Sequence, residues 1–192
     1  MKLKQVAMTL GLALLAGVAA QAQTSTWTID PAHSSVNFSI RHMGVSTVHG
    51  EISGVKGTIL FDEKDITKSK VEATVDTTTV ATGAEARDKH LKSPDFFDVA
   101  TYPTITFKST GLTNSGKLQL IGDLTLHGVT KSVTLDLDGP ATPQKGMNGK
   151  TISGFSASGL IKRSDFGIGA KFPAAVVGDE VKFTIDVEID KQ

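Results

Sequence analysis

Through most of this chain apolar residues recur at every second position, with Thr, Ser, Lys, Asp or Glu between them. That is the period of a strand with one buried face. Val36, Phe38 and Ile40 alternate with Ser35, Asn37, Ser39 and Arg41. The pattern returns in Val55, Gly57, Ile59 and Phe61, in Val71, Ala73 and Val75, in Ile105 and Phe107, and in Leu118, Leu120, Gly122, Leu124 and Leu126. It closes with Val133, Leu135 and Leu137, then Phe155, Ala157, Gly159 and Ile161, and last Val181, Phe183, Ile185, Val187 and Ile189. About eight strands follow from this period. Turn residues separate them at 62–65, 114–116, 127–128 and 139–149. Short strands joined in this way pair antiparallel, without crossover helices. Glycines at 50, 54, 57, 122, 154 and 159 sit within or beside the runs, where they mark bends, bulges or close backbone approach. Strongly bent strands favour closure, so one all-β domain rolled into an antiparallel barrel is predicted. A barrel of about eight strands has an interior filled by side chains or wide enough for one small ligand.

One segment breaks the period. RDKHLKSPDFFDVATYPTITFKST, residues 87–110, is too polar for a core element and too aromatic for an ordinary solvated loop. Residues 83–91 favour a helical turn or two, and Ser93-Pro94 ends it. A short helix and an aromatic loop therefore lie between two strands, near residues 83–98. Connections of that length in a compact domain are often lids, and Phe96 and Phe97 are placed to cover or plug one mouth of the barrel.

The N-terminus reads as a secretory leader. Lys2 and Lys4 precede an apolar run from Val6 to Ala20, and Ala20-Gln21-Ala22 offers a cleavage site, so residues 1–22 are read as a signal peptide and 23–192 as the mature domain. The run is short of the roughly 20 residues of a membrane span. The remaining 170 of the 192 residues carry 18 basic against 20 acidic side chains. That balance gives no electrostatic footprint for nucleic acid. The chain has no cysteine, which excludes disulfide stapling, thiol catalysis and thiolate metal sites.

Candidate chemistry is sparse. Five histidines, at 33, 42, 49, 90 and 127, show neither His-x-His nor HExxH spacing. His42 and His49 can meet across a hairpin with His33 nearby, and Asp88, His90 and Ser93 supply the residue types of a hydrolase without a Gly-x-Ser-x-Gly elbow. A secreted metal-dependent or hydrolytic enzyme using His42, His49 and His90 is the alternative to a binding barrel. The strand phase carries more information. Arg163 follows Ile161, and His42 follows Phe38 and Ile40, onto the apolar face. Burying such groups is costly unless they are paired or meet a polar ligand end. Arg163 is thus expected either to face a ligand or to form a salt bridge with Asp88 or Asp165.

Taken in order, WTIDPAHSSVNFSIRHMGVSTVHG, RDKHLKSPDFFDVATYPTITFKST, GDLTLHGVTKSVTLDLD and GFSASGLIKRSDFGIG closely resemble the YceI-like family of periplasmic proteins, over residues 27–189. The resemblance implies an extended, lipocalin-like, eight-stranded antiparallel barrel. Its internal tunnel would hold a polyisoprenoid or another long-chain fatty lipid. It implies a carrier or store with no established enzymatic activity, in a family some of whose members are tied to stress responses; no cofactor or metal is expected. Transient membrane contact and pairing into a homodimer are compatible with that role. The positions singled out as ligand-facing are Phe38, Ile40, His42, Phe96, Phe97, Phe107, Phe155, Ile161, Arg163 and Phe166, with Arg41, Asp88, His90 and Asp165 in supporting polar roles. Arg163 and His42 would receive a polar end of the ligand. One departure stands out. Many relatives carry phenylalanine where this chain has Gly50-Glu51-Ile52, and the next expected aromatic position is Val55. Smaller side chains there imply a widened or reshaped stretch of tunnel.

Overall fold

The structure is a computed structural model describing residues 24–147 and 149–192. The expected leader, residues 1–22, lies outside the described residues. The strands are β1 (Thr24–Ile29), β2 (Ser35–His42), β3 (Ser46–Ile52), β4 (Lys56–Asp62), β5 (Lys70–Asp76), β6 (Thr104–Asn114), β7 (Leu118–Leu126), β8 (Val129–Asp138), β9 (Gln144–Lys145), β10 (Thr151–Lys162) and β11 (Val177–Lys191), with helix α1 (Glu85–Lys92) between β5 and β6. Neighbours pair antiparallel in the order β11, β1, β4, β5, β6, β7, β8, β10, and a β10–β11 ladder closes the ring. That is the expected eight-stranded barrel, and closure pairs strand edges wherever the ladders run.

Two of the barrel strands are bent and continue past the ring. β1 pairs with the end of β11, Ile29 opposite Ile189. The chain turns at residues 30–34 and resumes along the same edge of β11 as β2, Ser35 opposite Asp186 and Ile40 opposite Val181. β4 and β3 repeat the arrangement against β1 and β2. The corner is held by its own polar groups. Asp30 Oδ1 accepts a hydrogen bond from the Ala32 amide at 2.8 Å, and the buried Ser34 hydroxyl accepts one from the Glu188 amide at 3.1 Å.

Beyond this corner the wall is incomplete. Among the described residues, the outer edge of β3 meets a single bridge, from Glu51 to Ala81, and residues 77–103, including α1, cover that end of the barrel. The β8–β10 ladder runs for three pairs, from Ser156 opposite Asp138 to Ser158 opposite Asp136. Past it, an ion pair of 3.4 Å between Lys131 and Asp165 links the two sides.

The opposite end is filled. Trp27, Ile59, Leu112 and Ile189, from four different strands, are all at least nine-tenths buried and pack as a floor. Trp27 lies directly across from Ile59, and its indole N–H donates to the Ser25 hydroxyl at 2.9 Å, so the one polar atom of the ring is satisfied.

Candidate functional site

Above the floor the barrel is hollow. A chamber of about 200 Å³ is lined by 29 side chains, of which 28 are apolar and one is Arg163. Phe38, Ile40, Phe107, Phe155 and Ile161 border it from the strands, as their phase predicts, and Leu91, Phe96 and Phe97 border it from the lid. The lid also brings Leu91, and the loop after β10 brings Ile168. Neither was singled out from sequence, because neither sits in an alternating run.

The lid is fastened on both sides. The Asp88 carboxylate accepts from the Thr82 amide at 2.8 Å and from the Thr82 hydroxyl, which ties the helix back to the chain that enters it. After α1 the loop folds onto the helix, with the Phe97 amide donating to the Leu91 carbonyl at 2.9 Å. Phe96 stacks on Phe172 at 5.0 Å between ring centroids, and the His90 ring meets both edge-on, at 5.0 and 5.7 Å. Asp95 joins the two halves, bonded to Lys171 Nζ at 2.6 Å and to His90 Nε2 at 3.2 Å. The Lys171 bond, then the His90 bond, hold the Asp95 carboxyl below its ordinary range.

Arg163 is buried and borders the chamber, but its part differs from the expected one. All five of its N–H donors are taken by backbone carbonyls: Nε by Gly178 at 3.0 Å, Nη1 by Ile168 at 2.9 Å and Gly169 at 2.7 Å, and Nη2 by Phe172 at 2.6 Å and Val177 at 2.8 Å. A guanidinium has five N–H groups, so none is left for a ligand's polar end. Nor does either expected salt bridge form. Asp88 serves Thr82, and Asp165 pairs with Lys131. Arg163 instead fixes the loop of residues 168–178, the side of the mouth against which the lid packs.

Three other expected positions move. His42 keeps the phase of Phe38 and Ile40 but lies exposed, opposite Val177, past a bulge in β11 that lifts it clear of the chamber. Phe166 is 1% exposed yet does not line the chamber; it packs with Phe96, Leu126 and Ile168 in a second cluster behind the mouth. Arg41 is exposed and donates to the Thr47 hydroxyl and the Gly44 carbonyl, bracing the β2–β3 turn. The expected gap at Gly50 is closed as well, because the ring of Phe38 occupies the place of the missing side chain.

The residues of the enzymatic alternative are not brought together. His49 lies opposite Ser39 and His42 opposite Ser46, three residues out of step along the hairpin. His90 binds Asp95, while the Ser93 hydroxyl donates to the His90 carbonyl at 2.7 Å rather than to an imidazole. Among the described residues, the three metal-capable side chains that approach one another within 4.8 Å are Asp30, His33 and Glu188, outside the chamber. There His33 Nδ1 bonds Asp30 Oδ2 at 2.9 Å. That bond, with Glu188 nearby, raises the affinity of His33 for its proton and lowers that of Asp30.

Known proteins are similar to this chain in sequence and in fold. The YceI-like domain family matches residues 27–189. Protein YceI of Escherichia coli O157:H7 is 43% identical over 157 residues, 81% of each chain. A UPF0312 protein of Vibrio parahaemolyticus is 38% identical over 170 residues, 86% of this chain and 89% of that one. Among solved structures, the Campylobacter jejuni YceI protein superposes with a TM-score of 0.70 at 32% identity, covering 80% of this chain and 90% of that one. A polyisoprenoid binding domain from Saccharophagus degradans superposes at 0.64 with 16% identity, covering 86% and 98%, a likeness of fold alone. With the family matched across nearly all of the described barrel, the chain belongs to the YceI-like family.

Proposed function

We propose that the protein is a periplasmic carrier or store that holds the hydrocarbon chain of a polyisoprenoid or another long-chain lipid in its chamber, without catalysing a reaction on it. The observation that carries this reading is the lining: 28 apolar side chains and one cation whose donors are all spent on backbone. Such a surface offers a ligand little but dispersion and escape from water. The polyisoprenoid binding of the Saccharophagus domain, which shares the fold, supports a chain-like ligand. The leader read at residues 1–22 supports export.

Transfer of hydrocarbon from water is worth about 0.8 kcal/mol per buried CH₂. One five-carbon isoprene unit therefore contributes about 4 kcal/mol gross, and a tail of several units needs neither covalent bond nor metal. Size adds a constraint. An engineered cavity of about 150 Å³ takes benzene, so the closed chamber of about 200 Å³ holds one short segment of chain. A longer tail enters with Phe96 and Phe97 displaced, and its head group stays outside, since Arg163 has nothing to give it.

Extraction of gently purified protein with organic solvent, followed by mass spectrometry, tests the proposal. A near-stoichiometric long-chain lipid is expected. Absence of such a lipid, together with stoichiometric zinc or iron, would turn the reading toward the enzymatic alternative.

A further inference from the structure

Across β3, β2, β11 and β10 the register sets Gly50, Phe38, Phe183 and Gly159 in one row, each directly opposite the next. All four positions face inward. Directly opposed residues have Cβ atoms about 4.5–5.5 Å apart, so two phenyl rings in the middle of a row compete for the same space. Here each leans outward onto the glycine at its flank. A methyl group on Gly50 would lie 2.6 Å from Phe38 Cε1, and one on Gly159 would lie 2.7 Å from Phe183 Cζ. The rings thus occupy the places where side chains of those residues would be. A third pair repeats the device on the far wall. Phe107, opposite Leu124, rests diagonally on Gly122, whose added methyl would lie 2.7 Å from Phe107 Cε2. Phe38, Phe107 and Phe183 all border the chamber.

We infer that Gly50, Gly122 and Gly159 are the capacity-determining residues of the chamber: each is a seat that keeps a phenyl ring flat on the wall, and together they set the girth of the chain the barrel accepts. The inference rests on the reading of the chamber as a lipid site. Its magnitude follows from volume. A benzene-sized ring needs a hole of about 150 Å³, so one ring turned off its seat uses most of the roughly 200 Å³ present. Phe38 and Phe183 have no other direction to turn, since each has the other on its second side. Alanine at a seat is thus a long-range change for the ligand, although no ligand atom need touch the glycine.

The test compares wild type, Gly159→Ala, Gly159→Ala with Phe183→Leu, and Phe183→Leu, using two probes. Xenon, followed by NMR in solution, reports the void whatever the natural ligand; a conjugated polyenoic fatty acid, followed by its fluorescence, reports lipid uptake. Gly159→Ala is expected to lose xenon binding and to weaken the polyene at least tenfold, and the added Phe183→Leu to restore both. Xenon and polyene binding by Gly159→Ala equal to wild type overturns the seats while leaving the lipid reading intact. Xenon loss on Gly159→Ala with no polyene uptake by any variant keeps the seats and rejects the lipid reading. Should Gly159→Ala not fold, Phe183→Leu alone must gain xenon binding, and an unchanged level overturns the inference.

Discussion

The two halves of this barrel share strands β6 and β11 and the same alternation, yet one is solid and the other hollow. In the floor, Trp27, Ile59, Leu112 and Ile189 point inward from four strands and meet. In the chamber, Phe38, Phe107 and Phe183 also point inward, but each finds a glycine beside it and lies along the wall. Both halves place their largest side chains on the inner face. What differs is the neighbour across the ladder: opposite Trp27 stands Ile59, and opposite Phe183 stands Gly159. A strand's period therefore decides which face is buried, and its cross-strand partners decide whether the buried face leaves a space.

Substitutions in the two halves should separate stability from binding. Trp27→Ala, in the floor, is expected to cost about 3–5 kcal/mol of stability while leaving polyene affinity unchanged below the melting transition; chemical denaturation and fluorescence titration read the two effects. A loss of affinity as large as the loss of stability would mean that floor and chamber are one unit. Phe96→Asp, on the lid, removes a buried ring worth about 1.5–3 kcal/mol and sets a carboxylate beside Asp95. Polyene release in stopped flow should quicken by about tenfold or more, whereas Lys117→Asp, at the β6–β7 turn, should leave it unchanged. Equal rates would remove the lid from the pathway.

The smallest effect is one of pH. The Asp95 carboxyl is depressed in the fold by its bonds to Lys171 and His90, so its contribution is present above the unfolded carboxyl's value, about 3.9, and is lost as pH falls through the lower folded value. Release should be flat from pH 7 to 5 and quicken only below about pH 4. Asp95→Asn should show the faster rate already at pH 7 and a weaker response to acid. A rise centred near pH 6 would point to a different group.

Much of the barrel was legible because its strands bury one face and expose the other. β1 and β3 were not. β1 holds only Trp27 and Ile29 as inward landmarks, and β3 carries Gly50 where the alternation calls for an apolar side chain, since Phe38 of the neighbouring strand fills that place. The lid was readable from Phe96 and Phe97, which are conspicuous in a charged segment. Its counterpart was not, because Phe172 and Lys171 lie in a loop with no period, and the carbonyls that saturate Arg163 have no residue signature at all. His42 shows the limit of phase: it alternates with Phe38 and Ile40, yet past the bulge in β11 it lies exposed and off the chamber. Of the glycines read as bends, bulges or close approaches, three have a phenyl ring where a side chain would stand.

Titration of delipidated protein with a conjugated polyenoic fatty acid, with unlabelled long-chain lipid as competitor, measures most directly whether the hollow half takes up a hydrocarbon chain. Saturable uptake at one chain per barrel, displaced by the competitor and weakened about tenfold or more in Phe96→Asp, is the predicted result. Fluorescence that never rises above that of free probe in buffer, with the barrel shown to be folded, would contradict it.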